Sequence, residues 1–288
     1  MVAKAPLSPK NDLIFKLLFG EQKRLNLLQA FLQAVLDLPT EEYDRLVIVD
    51  PHLKREFLDD KLGVLDVKIH TTTGKVINVE IQVEPQKYIW ERILYYAARL
   101  TTEQLKSGIN YQEIQKAISI IIVDWNLTPK ELDHYHNRYR LYDENTGCRF
   151  PDLFEINTLE LPKLPLEADG TVLYNWLRLF TAETEEEMTM VAKSSPEIAQ
   201  AVGVIMELSE DERTRLLAEA REKYRRDEVA RRDYAYDKGK MEGRREERQE
   251  IALAALQNNI SPEDVASFTG LSLEEVKALA ATLPPASH

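Results

Sequence analysis

Two acidic residues, Asp66 and Glu80, have the types and spacing that most clearly permit chemistry. They lie in the segments 64–70 and 76–83, which alternate apolar and polar side chains and are separated by Thr, Gly and Lys residues. This pattern predicts a β-hairpin. When His70 is paired with Val76, the two carboxylates lie directly opposite each other, with Cβ atoms about 4.5–5.5 Å apart.

Two carboxylates at this distance repel each other by about 0.8 kcal/mol in water and by about 3 kcal/mol at an effective dielectric constant near 20. Three arrangements would relieve the repulsion: protonation of one carboxylate, an ion pair with Lys68, or a divalent cation bound between them. Mg²⁺ or Mn²⁺ would bind one or two carboxylates and complete its coordination with water and substrate phosphate oxygens. The alternative is a solvated polar hairpin face with no metal.

The elements that must position these residues follow from hydrophobic periodicity and from Pro and Gly positions. Segments with helical and with strand periodicity follow one another along the chain, and they predict an α/β fold. The predicted helices are one that opens at 8–12 and ends before Gly20, then 23–36, 88–106 and 172–180. The predicted strands outside the first hairpin are 46–49, the buried 117–123, a second hairpin of 139–142 with 148–150, and the pair of segments 153–156 and 159–161.

Several blocks of the sequence, in order, resemble one nuclease family. The segments LDVKIH (65–70) and NVEIQV (78–83) are similar to the core of the PD-(D/E)XK nuclease superfamily. Together with PKNDLIFKLLFG (9–20), ERILYY (91–96) and ISPEDVASFTGLSLEEV (260–276), they resemble the Rpn family of recombination-promoting nucleases and transposases. The resemblance implies a restriction-endonuclease-like mixed sheet flanked by helices, and metal-dependent endonucleolytic cleavage of DNA.

The resemblance also implies roles for individual residues. Asp66 and Glu80 take the positions of the metal-binding carboxylates, and Gln82 stands where the wider superfamily has a lysine. Glutamine is neutral and cannot act as a base, but it can orient water or an oxygen ligand. Asp12 resembles an acidic residue that the superfamily places on its first helix near the metal. The alternative for Asp12 is a helix N-terminal carboxylate that the helix dipole favours.

Four further residues are candidates for contacts with DNA or with the carboxylates. Lys68 lies on the polar hairpin face and could replace the missing cation, or it could be a solvated strand lysine. Lys16 could contact phosphate, although a surface lysine is the simpler interpretation. Arg92 and Tyr95 lie on the helix after the hairpin, where they could face DNA or brace the carboxylates. Core packing is the alternative for Tyr95 and for Tyr96.

The overall composition limits the function classes. The 288 residues include 37 Lys and Arg against 49 Asp and Glu, for a net charge of −12. This charge argues against a surface that coats nucleic acid, but it permits a local DNA site in which metal ions supply positive charge. The single cysteine and the lack of a long apolar run predict a soluble, cytoplasmic protein with no membrane contact.

The chain divides by composition into three regions. We predict a nuclease-like domain over 1–185, a charged helical region over 186–258, and a small helix-turn-helix-like module over 259–288. The charged region is expected to mediate homo-oligomerisation. The second helix of the terminal module carries few base-reading side chains, which favours a packing or dimerisation role over sequence-specific DNA binding.

The leading hypothesis is a Mg²⁺- or Mn²⁺-dependent DNA endonuclease, linked to recombination or transposition as the family resemblance implies. Two alternatives stay open. One is a non-catalytic DNA-associated protein that retains the nuclease fold, and the other is an oligomeric scaffold built on the charged helical region.

Overall fold

The centre of the protein is a mixed six-stranded sheet in a computed structural model that describes residues 5–49, 67–105 and 110–283. The strand order is β1-β2-β3-β4-β6-β5, with β3, β4 and β6 parallel to one another and the remaining pairs antiparallel. The strands are β1 (Val47–Val49), β2 (Val67–His70), β3 (Val76–Gln82), β4 (Ala117–Val123), β5 (His136–Tyr139) and β6 (Phe154–Glu160).

Helices flank this sheet and continue after it, which confirms the predicted fold class. They are α1 (Asp12–Phe19), α2 (Leu25–Val35), α3 (Ile89–Thr102), α4 (Val172–Thr181), α5 (Glu185–Ala192), α6 (Pro196–Glu210), α7 (Glu212–Gln257), α8 (Pro262–Thr269) and α9 (Leu273–Ala280). Among the residues described, no helix has both the length and the apolar composition needed to cross a bilayer.

The first hairpin has the register that the alternating pattern predicts. His70 pairs with Val76, and Lys68 pairs with Asn78. Asp66, the next residue on the polar face, lies outside the described residues. The expected pairing of Asp66 with Glu80 therefore stays a prediction.

The two faces of the sheet are covered in different ways. One face, which includes Ile69, Val79 and Ile120, joins α1, α2 and α4 in the main hydrophobic core. On the opposite face, Ile93 and Ala97 of α3 pack against β4 and β6. Because helices cover both faces, all seven residues of β3 are buried, including its polar ones.

The second hairpin differs from the prediction. Its predicted strands, 139–142 and 148–150, form only a single bridge between Tyr142 and Arg149. The ladder forms instead between β5 and β6, with His136 opposite Leu159. The chain therefore turns where predicted, with Phe150 N donating to Leu141 O at 3.1 Å, but no longer ladder forms there. The reason is that exposed residues at the hairpin tip have little to bury, whereas β6 is buried against β4.

The chain divides into two compact units, residues 1–222 and residues 223–288. In the first unit, α5, α6 and the start of α7 contribute Met188, Ile205 and Ala218 to the main core. The predicted domain boundaries at 185 and 258 stay predictions.

The second unit contains the predicted pair of short terminal helices. Ser261 caps α8, Gly270 ends it with a left-handed backbone, and Ser272 forms a capping box with Glu275 at the start of α9. Val265 and Val276 pack against Ala252 of α7 in a small separate core.

Candidate active site

Glu80 and Gln82 lie on β3, where α3 covers the polar face of the sheet. The side chains are 6% and 8% exposed, respectively. Their neighbours on β4, Ile121 and Val123, are apolar and pack against α3. Desolvation strengthens electrostatic interactions, so the Glu80 carboxylate is placed where a charged ligand would be bound more strongly than at the surface.

Gln82 is held in place at the end of β3. Its side-chain Oε1 accepts a hydrogen bond from Gln86 Nε2 at 2.9 Å, and its backbone oxygen accepts one from Asp124 N at 3.1 Å. The side-chain carboxylate of Asp124 in turn forms an ion pair with Lys10 Nζ at 2.7 Å. The Gln82 side chain is therefore a neutral amide held by its neighbours, and its predicted correspondence with the superfamily lysine stays a prediction.

Asn78 is a polar residue of this face that sequence reasoning did not place in the site. It lies between Lys68 of β2 and Ser119 of β4, and it is 4% exposed. Its Oδ1 atom is buried and has no hydrogen-bond partner among the described residues. A buried oxygen without a partner is uncommon in folded proteins and is suited to bind a proton donor or a cation. The signal was available, since Asn78 shares the period-two face of Glu80.

Lys68 is a partly exposed residue that forms an ion pair. Its Nζ lies 2.6 Å from Glu103 Oε2, at the end of α3, and Arg99 Nε lies 2.6 Å from the other oxygen of the same carboxylate. The hydrogen bond from Lys68, followed by that from Arg99, lowers the pKa of Glu103 although partial burial opposes the change. Two cations thus share one carboxylate on the α3 side of the hairpin.

Arg92 lies on the same flank of α3 and stacks on an aromatic ring. Its guanidinium carbon is 5.0 Å from the centroid of Tyr96. Its Nε atom is buried and has no hydrogen-bond partner among the described residues. A guanidinium binds phosphate oxygens well, and Arg92 would have to do so through its Nη atoms, because its Nε atom is shielded from solvent.

Asp12 lies at the start of α1, with its carboxylate engaged by Arg221 of α7. Arg221 Nε donates to Asp12 Oδ1 at 2.9 Å, and Nη2 donates to Oδ2. Asp12 Oδ1 also accepts from Leu13 N at 2.8 Å, in the first turn of the helix. The structure thus shows an ion pair and a helix-terminal hydrogen bond for this residue, and its predicted role at a metal stays a prediction.

Two expectations for exposure were wrong. Lys16 is 9% exposed and so is not a surface lysine. Tyr95 is 61% exposed, and Tyr96 is 36% exposed, so neither is a core residue. For the two tyrosines the reason is the geometry of α3, whose buried side is formed by Ile93 and other small or aliphatic residues. Lys16 belongs to α1, where nearly every residue is buried.

The donor set of this face suits a hard divalent cation. Glu80 offers carboxylate oxygens and Asn78 offers an unpartnered amide oxygen on the same side of β3. Oxygen ligands of this kind are those that Mg²⁺ and Mn²⁺ prefer. Within the described ranges there is no group of three or more His, Cys, Asp or Glu residues that could hold a metal. A complete carboxylate pair would therefore need Asp66, which lies outside those ranges.

Comparison with known proteins identifies the family. A family model described as PD-(D/E)XK nuclease family transposase matches residues 9–235. The chain belongs to this family. No curated protein and no solved structure matched the chain. The predicted resemblance is thereby confirmed, and family membership indicates a nuclease- or transposase-related function with DNA as the implied substrate.

Proposed function

We propose that the protein is a divalent-metal-dependent DNA endonuclease whose site is the polar face of the β2–β3 hairpin. The main support for the proposal is the register of this hairpin, in which His70 pairs with Val76 and Lys68 pairs with Asn78. The next pair on the same face of the ladder would include Glu80. The proposal continues the ladder by one pair, so that Asp66 meets Glu80. The family match over residues 9–235, which includes the hairpin, supports nuclease chemistry in this part of the chain.

In this proposal, Asp66 and Glu80 hold the cation, with Asn78 as a further oxygen ligand and Asp12 as a possible third carboxylate once Arg221 releases it. The bound ion would neutralise phosphate charge and lower the pKa of water. Gln82 orients water or a phosphate oxygen through its amide. Arg92 binds a non-bridging phosphate oxygen of the scissile strand.

The proposed reaction is hydrolysis of a phosphodiester. Water adds to phosphorus, one phosphorus–oxygen ester bond breaks, and the leaving oxygen takes a proton. Gln82 cannot accept the proton of the attacking water, because an amide is not a base. We therefore propose that the proton passes to solvent or to the substrate phosphate.

Plasmid nicking by the purified protein tests the proposal. With Mg²⁺ or Mn²⁺ present, we expect the wild type to convert supercoiled plasmid to open circles. Glu80→Gln and Asp66→Asn should each lower the rate by at least about a hundredfold, since loss of a metal ligand removes several kcal/mol of transition-state stabilisation. Glu91→Gln, which changes an exposed carboxylate on α3, is the matched control and should retain the wild-type rate.

The second candidate function is a DNA-associated protein that keeps the nuclease fold without cleaving. The neutral Gln82, held by Gln86 where the superfamily has a lysine, favours this candidate. It predicts intact plasmid with the wild type and with every variant. Equal nicking by the wild type and by both carboxylate variants would argue against the endonuclease candidate, because the activity would then not depend on the proposed site.

A further inference from the structure

One flank of α3 carries an alternating row of rings and cations. Arg92, Tyr95, Tyr96 and Arg99 follow one another at helical spacing, and Tyr88 precedes them at the helix N-cap. Residues three, four and seven positions apart share one side of a helix. We call these five residues the aromatic–cationic flank.

This flank faces the hairpin rather than the far edge of the sheet. Glu103, at the end of α3, contacts both Arg99 on the flank and Lys68 on β2. On the opposite side of α3, Trp90 packs edge-on against Tyr139 of β5 at 5.5 Å between ring centroids. The aromatic–cationic flank therefore runs along the β2 side of α3, beside the face that carries Glu80.

The rings of the flank are exposed although they are large and largely apolar. Tyr88 is 63% exposed and Tyr95 is 61% exposed. Tyr88 also has a left-handed backbone, with φ of 61°, and Lys87 Nζ lies 4.8 Å from the centroid of its ring. Left-handed backbones are uncommon in residues other than Gly, Asn and Asp, and such strain is concentrated at functional sites.

The charges of the flank fit a polyanion. Arg92 has a buried Nε with no hydrogen-bond partner among the described residues. Lys68 and Arg99 pair with one and the same carboxylate, that of Glu103, so that this group retains net positive charge. This group of two cations and one carboxylate can therefore attract phosphate, although the chain as a whole has a net charge of −12.

Exposed rings interleaved with cations are the arrangement with which proteins bind single strands. Each unpaired base has a flat face that stacks on an aromatic side chain, while Lys and Arg contact the backbone. In a duplex the base faces are stacked inside and cannot reach the rings. Tyr88 and Tyr95 are separated by seven residues, or about 10 Å along a helix, which leaves room for separate bases.

We propose that the aromatic–cationic flank binds unpaired bases of single-stranded DNA, with Tyr88 and Tyr95 as stacking platforms and Arg92 on the backbone. The proposal deepens the proposed function and rests on it. The preferred substrate of the Glu80 site would then be DNA with unpaired bases, such as a single strand, a junction, or the locally opened duplex of a supercoiled plasmid.

Fluorescence anisotropy tests the proposal with the full chain in EDTA, where cleavage cannot interfere. The probes are a labelled oligothymidylate, an abasic strand of equal length, and a duplex. We expect Tyr88→Ala and Tyr95→Ala each to weaken binding of the oligothymidylate by at least ~5-fold. Binding of the abasic strand should change by less than about twofold, because it offers phosphates without bases. Tyr95→Phe is the matched control and should retain wild-type affinity, because the ring is preserved.

Three results would overturn the inference. The first is unchanged oligothymidylate affinity in both alanine variants. The second is an equal loss for the oligothymidylate, the abasic strand and the duplex, which would indicate a general backbone contact. The third is a wild-type oligomer, seen by light scattering, that is lost in both alanine variants. The flank would then bind a second copy of the chain.

The outcome is separable from that of the proposed function. A protein that nicks plasmid in a Glu80-dependent manner but shows no ring-dependent binding retains the proposed function and loses this inference. A protein that shows ring-dependent binding but never cleaves loses the proposed function.

Discussion

Glu42 holds the turn that sets the register of the first hairpin. Its carboxylate accepts hydrogen bonds from Thr71 Oγ1 at 2.6 Å and Thr73 Oγ1 at 2.8 Å, and it is paired with Lys75. Burial alone would raise the pKa of Glu42, but the hydrogen bonds from Lys75, Thr71 and Thr73 lower it to about 2. The ionised form is therefore favoured in the folded protein, and a slip of the hairpin would break this set of contacts.

Replacement of Glu42 by Gln should destabilise the protein by about 3 kcal/mol at neutral pH, since each pKa unit below the ordinary value corresponds to about 1.4 kcal/mol. The folded pKa is lowered, so the contribution is complete above the ordinary value of 4.5 and is lost as the pH falls toward 2. Urea denaturation at several pH values measures the difference. Glu41→Gln, at the exposed neighbouring position, is the control and should change stability by less than about 0.5 kcal/mol.

His136 is a second titratable residue whose burial affects stability. Its Nε2 atom lies 2.9 Å from Asn157 Oδ1. Burial lowers the pKa of His136, and the hydrogen bond with Asn157 opposes this only in part. Because the folded pKa is lowered, the neutral imidazole stabilises the fold above the ordinary value of 6.5, and this stabilisation is lost as the pH falls.

Between about pH 7.5 and about pH 5.5, the wild type should therefore lose more stability than His136→Gln, which cannot titrate. Chemical denaturation at both pH values measures the two losses. His134→Gln should behave as the wild type, because His134 is exposed. Identical losses in the wild type and in His136→Gln would contradict the expected role.

At the scale of elements, the Asp12–Arg221 pair joins the first helix to the start of α7. The two residues are 34% and 10% exposed in their side chains. Asn11 Nδ2 also donates to the backbone oxygen of Ala218 at 3.3 Å. These contacts fix α1, and through it the core face of β3.

Asp12→Asn should consequently lower the melting temperature, because Arg221 would lose a charged partner and retain a partly buried charge. The expected loss of stability is about 1–3 kcal/mol. Affinity for Mn²⁺ should fall by less than it does in Glu80→Gln. A loss of Mn²⁺ affinity as large as that of Glu80→Gln, with unchanged stability, would mean that Asp12 acts as a primary metal ligand and that its pair with Arg221 contributes little to the fold.

The sequence predicts the helices and strands that depend on local patterns. It does not predict the burial or exposure of side chains that depends on how other elements pack against them. Alternation is sufficient to give the register of β2 and β3, and capping residues are sufficient to give α8 and α9. Burial of the polar face of β3 could not be predicted, because it results from α3 folding across the sheet. The exposure of Tyr95 has the same origin.

Some buried polar residues could likewise not be identified from the sequence. Glu42 is distant from the hairpin in the chain, and nothing in its local pattern indicates that it binds Thr71 and Thr73. Buried Glu155 is another case, since it binds Lys116 of a different segment at 2.7 Å. Such long-range polar contacts require the folded topology.

At the scale of the whole molecule, the first unit extends to Glu222 and includes part of α7. Leu208 and Ala218 are buried in the main core, and Arg215 donates to the backbone oxygen of Ala5 at 3.0 Å. Residues 226–248 of the same helix are exposed except at Val229, and they include Tyr234 and Met241. Exposed large side chains on a helix favour the predicted homo-oligomerisation through the C-terminal region.

A chain that ends at Glu222 should fold cooperatively, nick plasmid as the full chain does, and be monomeric. The full chain should be an oligomer by light scattering. A chain that ends at Ile205 should be destabilised by several kcal/mol, because it lacks Leu208 and Ala218 of the core. If the chain that ends at Glu222 keeps the oligomeric mass of the full chain, the C-terminal region does not mediate assembly.

Titration of the full chain with Mn²⁺ in a calorimeter tests the central claim most directly, because it measures the metal without requiring turnover. We predict a saturable site in the wild type, an affinity at least about tenfold lower in Glu80→Gln and in Asp66→Asn, and wild-type binding in Glu91→Gln. An isotherm that is the same in the wild type and in both carboxylate variants would contradict the assignment of the hairpin face as a metal site.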